Sequence, residues 1–341
     1  MELTSDLTTV VMDHGTGGLL SQDLIQNFIA PILKEVYIGE MEDSSLLEID
    51  SKRIAMTTDS FVVDPIIFGN GDIGKISVCG TVNDLAVSGA KPQYLTLGLV
   101  LEEGFSLKDL RTIIESIYSA AKEAGIKIVA GDTKVVEKGA VDKIFINTAG
   151  VGTINDDISY SPRNIVGGDD VIVTGHLGNH SIHILSLREG LGYELNVLSD
   201  CAPLNNIIQS IKEKYGRKIR MIRDLTRGGL GSALNEISEA MKAGIDINLD
   251  DLPIQHEVKM ASDMLGINPI YLANEGNMCI FCDPSVTTEL VDMLHKKSYT
   301  REARSIGKVS RDRKEKVLAK DENDKVSEVE YLYGKELARL C

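Results

Sequence analysis

The chain has 341 residues, 43% of them hydrophobic and 26% charged, a soluble globular composition at a length that favours two domains over one. A formal net charge of −15, with no tryptophan and six phenylalanines, excludes nucleic acid as an expected partner, because phosphate backbones are repelled and few rings offer a stacking surface. The apolar runs are short, the N-terminus lacks a basic-then-apolar pattern, and five cysteines are too few for a disulfide framework at this length, so no membrane span is expected and the cytoplasm is.

In chain order, Asp13-His14-Gly15-Thr16-Gly17-Gly18 is too glycine-rich for regular structure, and Leu24, Ile25, Phe28 and Ile29 then recur at helical spacing. Strand and helix signals alternate from Arg53: a strand over 54–58, a helix over 74–89, and a strand in which Leu95, Leu97, Leu99 and Leu101 share a face. An amphipathic helix over 107–124 stops at Gly125, and strands follow over 126–130 and 144–148. Turn residues between Asn155 and Gly168 mark a boundary. Beyond it the spacing predicts strands over 171–173, 245–249 and 278–281 and helices over 181–188, 204–214 and 226–243. From Arg311 the chain reads as a polar, irregular tail. The organisation is thus 1–40, an N-terminal glycine-rich loop and helix; 41–155, an N-terminal domain; 156–310, a C-terminal domain; and 311–341, a tail ending in Cys341.

Gly69 to Lys75 has the spacing of a phosphate-binding P-loop, but Ile76 follows where Ser or Thr should reach Mg²⁺, and Asp72 would oppose phosphate. It reads as a glycine turn before a helix. Asp59, Asp84 and Asp132 sit at the edges of apolar elements. Each alone is explained as a cap or turn residue, while the three together suit ligation of a divalent cation that bridges phosphates. His14 with Gly15, Gly17 and Gly18 reads equally as a phosphate-wrapping loop and as a solvated one. Arg223, Asp224 and Arg227 open a helix, either as cap and surface charges or as an anion site. Glu275 lies in a tight turn between two strands, where solvation is the ordinary expectation. Cys279 and Cys282 form the one CxxC, but i and i+3 face opposite ways in a strand, so packing is favoured over metal or redox chemistry. Cys341 is the last residue: either an accident, or a nucleophile on an arm hinged at Gly334 that reaches ~25 Å when extended.

MDHGTGG, TTDSFVVDP, GDIGKISVCGTVNDLAVSGAKP, LEEGF, GDTKVV, FINTAGVG, RDLTRGGLGSALNEI, ANEGN and a terminal cysteine, in this order, resemble the HypE family of hydrogenase maturation proteins. That family belongs to the superfamily of aminoimidazole ribonucleotide synthetase, selenophosphate synthetase and thiamine-monophosphate kinase. The resemblance implies a two-domain α/β (α+β) fold of mixed sheets with packed helices, a dimeric barrel formed by the N-terminal domains of a homodimer, and ATP with Mg²⁺. It implies Asp59, Asp84 and Asp132 as Mg²⁺–ATP ligands, with Asn83, Thr133 and Lys134 at the nucleotide and the His14, Gly15, Gly17 and Gly18 loop over the phosphates. Glu275 is then the candidate base, supported by Arg223, Asp224 and Arg227. The implied activity is ATP-dependent dehydration of a carbamoyl group on Cys341 to a thiocyanate, loaded by a carbamoyltransferase and delivered to an iron-scaffold complex. The sequence departs from the family in Ala338-Arg339-Leu340-Cys341 where Pro-Arg-Ile-Cys is usual, in Gly178-Asn179-His180-Ser181, and in Leu225 where proline is expected.

Other activities fit less of the chain. Selenophosphate synthetase calls for a reactive Cys near the N-terminal glycine loop, and residues 1–40 contain none. A small-molecule kinase needs no terminal thiol, and a non-enzymatic carbamoyl or cyano carrier needs no carboxylates.

Overall fold

The computed structural model describes residues 8–15, 19–38, 47, 49–51, 53–154, 158, 160–310, 315–332 and 337–341. They fall into two units, one of residues 1–85, 90–155 and 341, the other of residues 86–89 and 156–340.

In the first unit, helical turns α1 (Leu19–Asp23), Leu24–Ile29 and α2 (Ala30–Leu33) precede a four-stranded sheet. Its strands are β1 (Ile54–Phe61), β2 (Lys91–Glu102), β3 (Lys127–Val136) and β4 (Ile144–Thr153), in the order β1-β4-β2-β3. β4 runs antiparallel to both β1 and β2, and β3 is parallel to β2. The connections are α3 (Ile73–Val87) and α4 (Leu107–Ala124). Leu95, Leu97, Leu99 and Leu101 are all buried, as one face of a strand requires. α3 is buried on nearly every side, and Ile73, Ile76, Cys79 and Val82 are fully enclosed. It begins where Asp72 Oδ1 accepts the Lys75 N–H at 2.9 Å, so the Gly69–Lys75 segment is a capped helix start. α4 carries a stripe from Leu107 through Ile113 and Ile117 to Ala124, with Ser106 as N-cap and Gly125 at φ +71° closing it. Alternation in β1 exposes Ile54, Met56, Thr58 and Ser60 and turns Thr57, Asp59 and Phe61 inward, leaving one face of this sheet open.

The second unit holds seven strands: β5 (Asp170–Val173), β6 (Ile219–Asp224), β7 (Ile245–Asn248), β8 (Met278–Cys282), β9 (Arg304–Val309), β10 (Val317–Lys320) and β11 (Val326–Glu328). Their order is β11-β10-β7-β9-β5-β8-β6, antiparallel throughout except β10 against β7. Helices α5 (Asn179–Glu189), α6 (Asn205–Tyr215), α7 (Gly229–Met241), α8 (His256–Leu265) and α9 (Thr287–His295) surround it. β8 packs on both faces: Cys279 and Phe281 join a core with Leu230, Leu234 and Ile237 of α7, while Ile280 and Cys282 join one with Ile207 and Ile211 of α6 and Leu290 and Leu294 of α9. Burial raises the thiol of Cys279 to about 12 and that of Cys282 to about 11, so neither is a thiolate at neutral pH. Among the described residues no helix is long and apolar enough to cross a membrane.

Several local expectations are corrected. The expected irregular tail contains two strands: β10 and β11 extend the second sheet, and their brevity hides them from a periodicity reading. α7 starts at Gly229 and not at Thr226, because Gly228 and Gly229 at φ +66° and +57° break the helical path. Asp59 and Asp132 lie inside β1 and β3 and not at their ends. Because Ile113 is fully enclosed, Ile113→Ala should cost the first unit about 3 kcal/mol, whereas exposed Thr112→Ala should stay within about 0.5 kcal/mol. Urea midpoints of the two variants check this.

Candidate active site

In the first unit two rungs tie β1 to α3. The Thr57 hydroxyl donates to Asp84 Oδ2 at 3.1 Å, and the Thr81 hydroxyl donates to Asp59 Oδ2 at 2.9 Å. Thr81 and Asp84 are three residues apart on one helix face, and Thr57 and Asp59 two apart on one strand face, so the two carboxylates share a patch. Asn83 is buried beside them in sequence on α3. Asp132 is not in the patch. It pairs with Gly98, in the cross-strand row of Asn147 and Ser60, and so lies on the open face about 14 Å from β1, three strand spacings away. There Lys134 Nζ contacts its Oδ1 at 2.7 Å, and Thr133 lies between the two in sequence, half-buried. Among the described residues no three His, Cys, Asp or Glu side chains gather as a metal site.

His14 is buried. Its Nδ1 accepts the Val11 N–H at 3.0 Å, which leaves the proton of the neutral ring on Nε2, a buried atom with no hydrogen-bond partner. Desolvation lowers its pKa, against the pull of Asp23 and Asp13. Gly15 ends a 3₁₀ turn, Met12–Gly15, that packs against β3, where a Cβ would meet the Val135 nitrogen at 2.6 Å. Gly17 and Gly18 lie outside the described residues, as does Gly334.

In the second unit, three turns meet at one end of the sheet. Asn274 Oδ1 accepts the Gly178 N–H at 2.8 Å, and its Nδ2 donates to the carbonyls of Leu225 and Leu272 at 3.1 and 2.9 Å. Asn277 Oδ1 accepts the Gly175 N–H at 2.9 Å, and its Nδ2 donates to the carbonyls of Gly175 and His176 at 2.8 and 3.1 Å. Between them Glu275 is 3% exposed, not solvated, and its N–H donates to Asp200 Oδ1 at 2.9 Å. A 3₁₀ turn, Pro269–Tyr271, and not a strand, precedes it. Leu225 donates its N–H to the Asn277 carbonyl at 3.1 Å, a bond that proline could not make. Asp224 is buried and accepts from the Thr226 hydroxyl at 3.0 Å. Arg223 turns to Glu236 at 3.0 Å, and Arg227 is exposed. Gly229 passes so close that a Cβ would sit 2.5 Å from the Leu272 carbonyl.

The tail is docked on α5. Arg188 Nη1 and Nη2 donate to the carbonyls of Ala338 and Arg339 at 2.8 and 2.7 Å, and His180 Nε2 donates to that of Leu340 at 2.7 Å. A carbonyl only accepts, so Nε2 carries the proton and Nδ1 accepts from the Ser199 hydroxyl at 2.8 Å. In the first unit, the Cys341 carbonyl accepts the Val62 N–H at 2.9 Å, three residues beyond Asp59. Sequence reasoning passed over His180, Arg188, Ser199 and Asp200. In the departing segment Gly178 takes the left-handed position, at φ +81°, and Asn179 begins the helix that carries both residues holding the tail.

Two family models match: AIR synthase related protein, N-terminal domain, over residues 41–154, and AIR synthase related protein, C-terminal domain, over 167–320. They define the class, a two-domain α/β protein of mixed sheets with packed helices. The carbamoyl dehydratase HypE of Azotobacter vinelandii is 38% identical over 333 residues, 98% of this chain and 97% of that one. A crystal structure of the hydrogenase maturation protein HypE in complex with ATP is 36% identical with a TM-score of 0.93, over 98% of this chain and 100% of that chain. A chain from a HypE–HypF complex is 39% identical with a TM-score of 0.79, over 92% and 100%. The chain belongs to the HypE family of carbamoyl dehydratases, enzymes of hydrogenase maturation.

Burial holds the His180 pKa at about 4, below its ordinary 6.5, against the raising effect of the Leu340 carbonyl. The folded state therefore binds fewer protons than the unfolded chain between pH 4 and 6.5, and stability falls as pH drops through that window. The second unit should lose about 2 kcal/mol from this group between pH 7.5 and 5. The check is the urea midpoint at both pH values, where His180→Gln should show a correspondingly smaller difference.

Proposed function

We propose that the chain uses ATP to convert a carbamoyl group on Cys341 into a thiocyanate, the cyanide source for a hydrogenase iron centre. The observation that carries this reading is the docked tail, which ends in the one cysteine of the five that is not buried. The thiocarboxamide S–C(=O)–NH₂ has a poor leaving oxygen. Transfer of the γ-phosphoryl group of ATP to that oxygen gives S–C(OPO₃²⁻)=NH and ADP. Removal of the remaining N–H proton and loss of phosphate then leave S–C≡N. Glu275, buried in its turn, is the base for the protons; Arg223, Asp224 and Arg227 support it from the adjoining segment, and the enclosure keeps water from the activated intermediate.

His14 offers its Nε2–H to the nucleotide phosphates, with Gly15, Gly17 and Gly18 forming the loop and Asn83, Thr133 and Lys134 the remaining contacts. The hard oxygens of Asp59 and Asp84, on one patch, fit Mg²⁺, which would offset phosphate charge there. Asp132 lies on the open face, with exposed Ile54 and Met56 across the sheet, and a homodimer closing that face as a barrel would cover it. The likeness to a HypE–HypF complex supports a carbamoyltransferase as the partner that loads Cys341, and an iron-scaffold complex receives the cyanide.

The test is intact-protein mass spectrometry with carbamoyl phosphate, ATP, Mg²⁺ and the carbamoyltransferase. Cys341 should gain a carbamoyl group and then lose one water in an ATP-dependent step. Cys341→Ser should show neither change. Glu275→Gln should accumulate the carbamoyl form, with dehydration slowed on the order of 10²–10⁴-fold. Carbamoylation with no water loss in the unmodified protein would reduce the chain to a carrier.

A further inference from the structure

We propose that α5 is a latch for the C-terminal tail, in which Arg188 and His180 grip the main chain of residues 338–340 as positioning residues for Cys341. Arg188 receives two successive carbonyls in its fork, those of Ala338 and Arg339, at 2.8 and 2.7 Å. They converge because Arg339 is held at φ +56°, a left-handed conformation that side-chain-bearing residues rarely adopt. One helix end away, fully enclosed His180 takes the next carbonyl, that of Leu340, at 2.7 Å. Leu340 is itself buried, and Leu337 packs on the cluster containing Ile182 and Leu185 of the same helix.

All three polar contacts fall on carbonyl oxygens. The polar grip therefore reads the backbone, which is how Ala338 can stand where the family usually has Pro, while Leu340 keeps an apolar side chain where Ile is usual. The grip also has a mechanical path to the candidate base. His180 Nδ1 accepts from Ser199, and the neighbouring Asp200 holds the Glu275 N–H at 2.9 Å. On the other side, Asn274 holds the Gly178 N–H where α5 begins. A seated tail and an ordered Glu275 turn thus share the same supports. The latch has a purpose only if Cys341 carries the reacting group, so it rests on the function proposed above.

The experiment is alkylation of the full-length protein with iodoacetamide, read by peptide mass spectrometry, alongside hydrogen–deuterium exchange of the C-terminal peptide. Cys79, Cys201, Cys279 and Cys282 are buried, so early label reports on Cys341. Arg188 is half-exposed near the end of α5, and Arg188→Ala spares the core; it should speed alkylation roughly tenfold and raise exchange of residues 337–341. His180→Ala should do the same. His180→Gln, which keeps an N–H for the Leu340 carbonyl, should return both readings to within about twofold of the unmodified protein. Unchanged alkylation in Arg188→Ala would overturn the latch, and so would a His180→Gln that behaves like His180→Ala. Neither reading needs ATP or a carbamoyl donor. Release without any carbamoylation of Cys341 would sink the proposed reaction alone, and carbamoylation with no release would sink the latch alone.

Discussion

Two asparagine amides, those of Asn274 and Asn277, hold one end of the second unit together. Each uses its oxygen to accept a backbone N–H from the segment after β5 and its nitrogen to donate to two backbone carbonyls. Glu275 can be enclosed between them because its flanks are fully bonded. The same bonds set where α5 begins and where the segment after β6 runs, and through α5 they set where the tail lies. A network of this kind tolerates little: losing either amide removes the acceptor of a glycine N–H, and a buried group left unpaired costs about 1–3 kcal/mol.

The two sheets differ in how much of themselves they cover. The second is packed on both faces, so β5 and β8 are buried along their whole lengths. The first leaves a face bare and places upon it Ile54, Met56 and the Asp132–Lys134 pair. Its covered face does the opposite work, bringing Asp59 and Asp84 together across β1 and α3 with threonine hydroxyls as spacers.

Much of the fold was legible because long elements announce themselves. The helix over Leu107 to Ala124, its Gly125 stop and the leucine alternation of β2 follow directly from periods of 3.6 and 2. Short strands such as β10 and β11 carry too few residues for a period, and they were hidden in a polar stretch. The same limit governs the site. Cysteines at i and i+3 of a strand had to face opposite ways, and Cys279 and Cys282 do. Glu275 looked like a solvated turn residue because nothing local says it is buried; its enclosure comes from Asn274, Asn277 and Asp200, the last 75 positions away. His180 and Arg188 were equally silent, since a side chain that binds a distant carbonyl leaves no mark in the sequence around it.

The seclusion of four cysteines bears on the chemistry at the fifth. A thiocyanate sulfur is an electrophile toward thiolates: attack forms a disulfide and discharges cyanide. Cys279 and Cys282, held as thiols by burial, and Cys79 and Cys201, shut away from solvent, would give the thiocyanate proposed on Cys341 no reactive thiol within its own chain. On that reading free small-molecule thiols would be the main hazard to the loaded protein, and a tail held on α5 would meet them less often than a loose one.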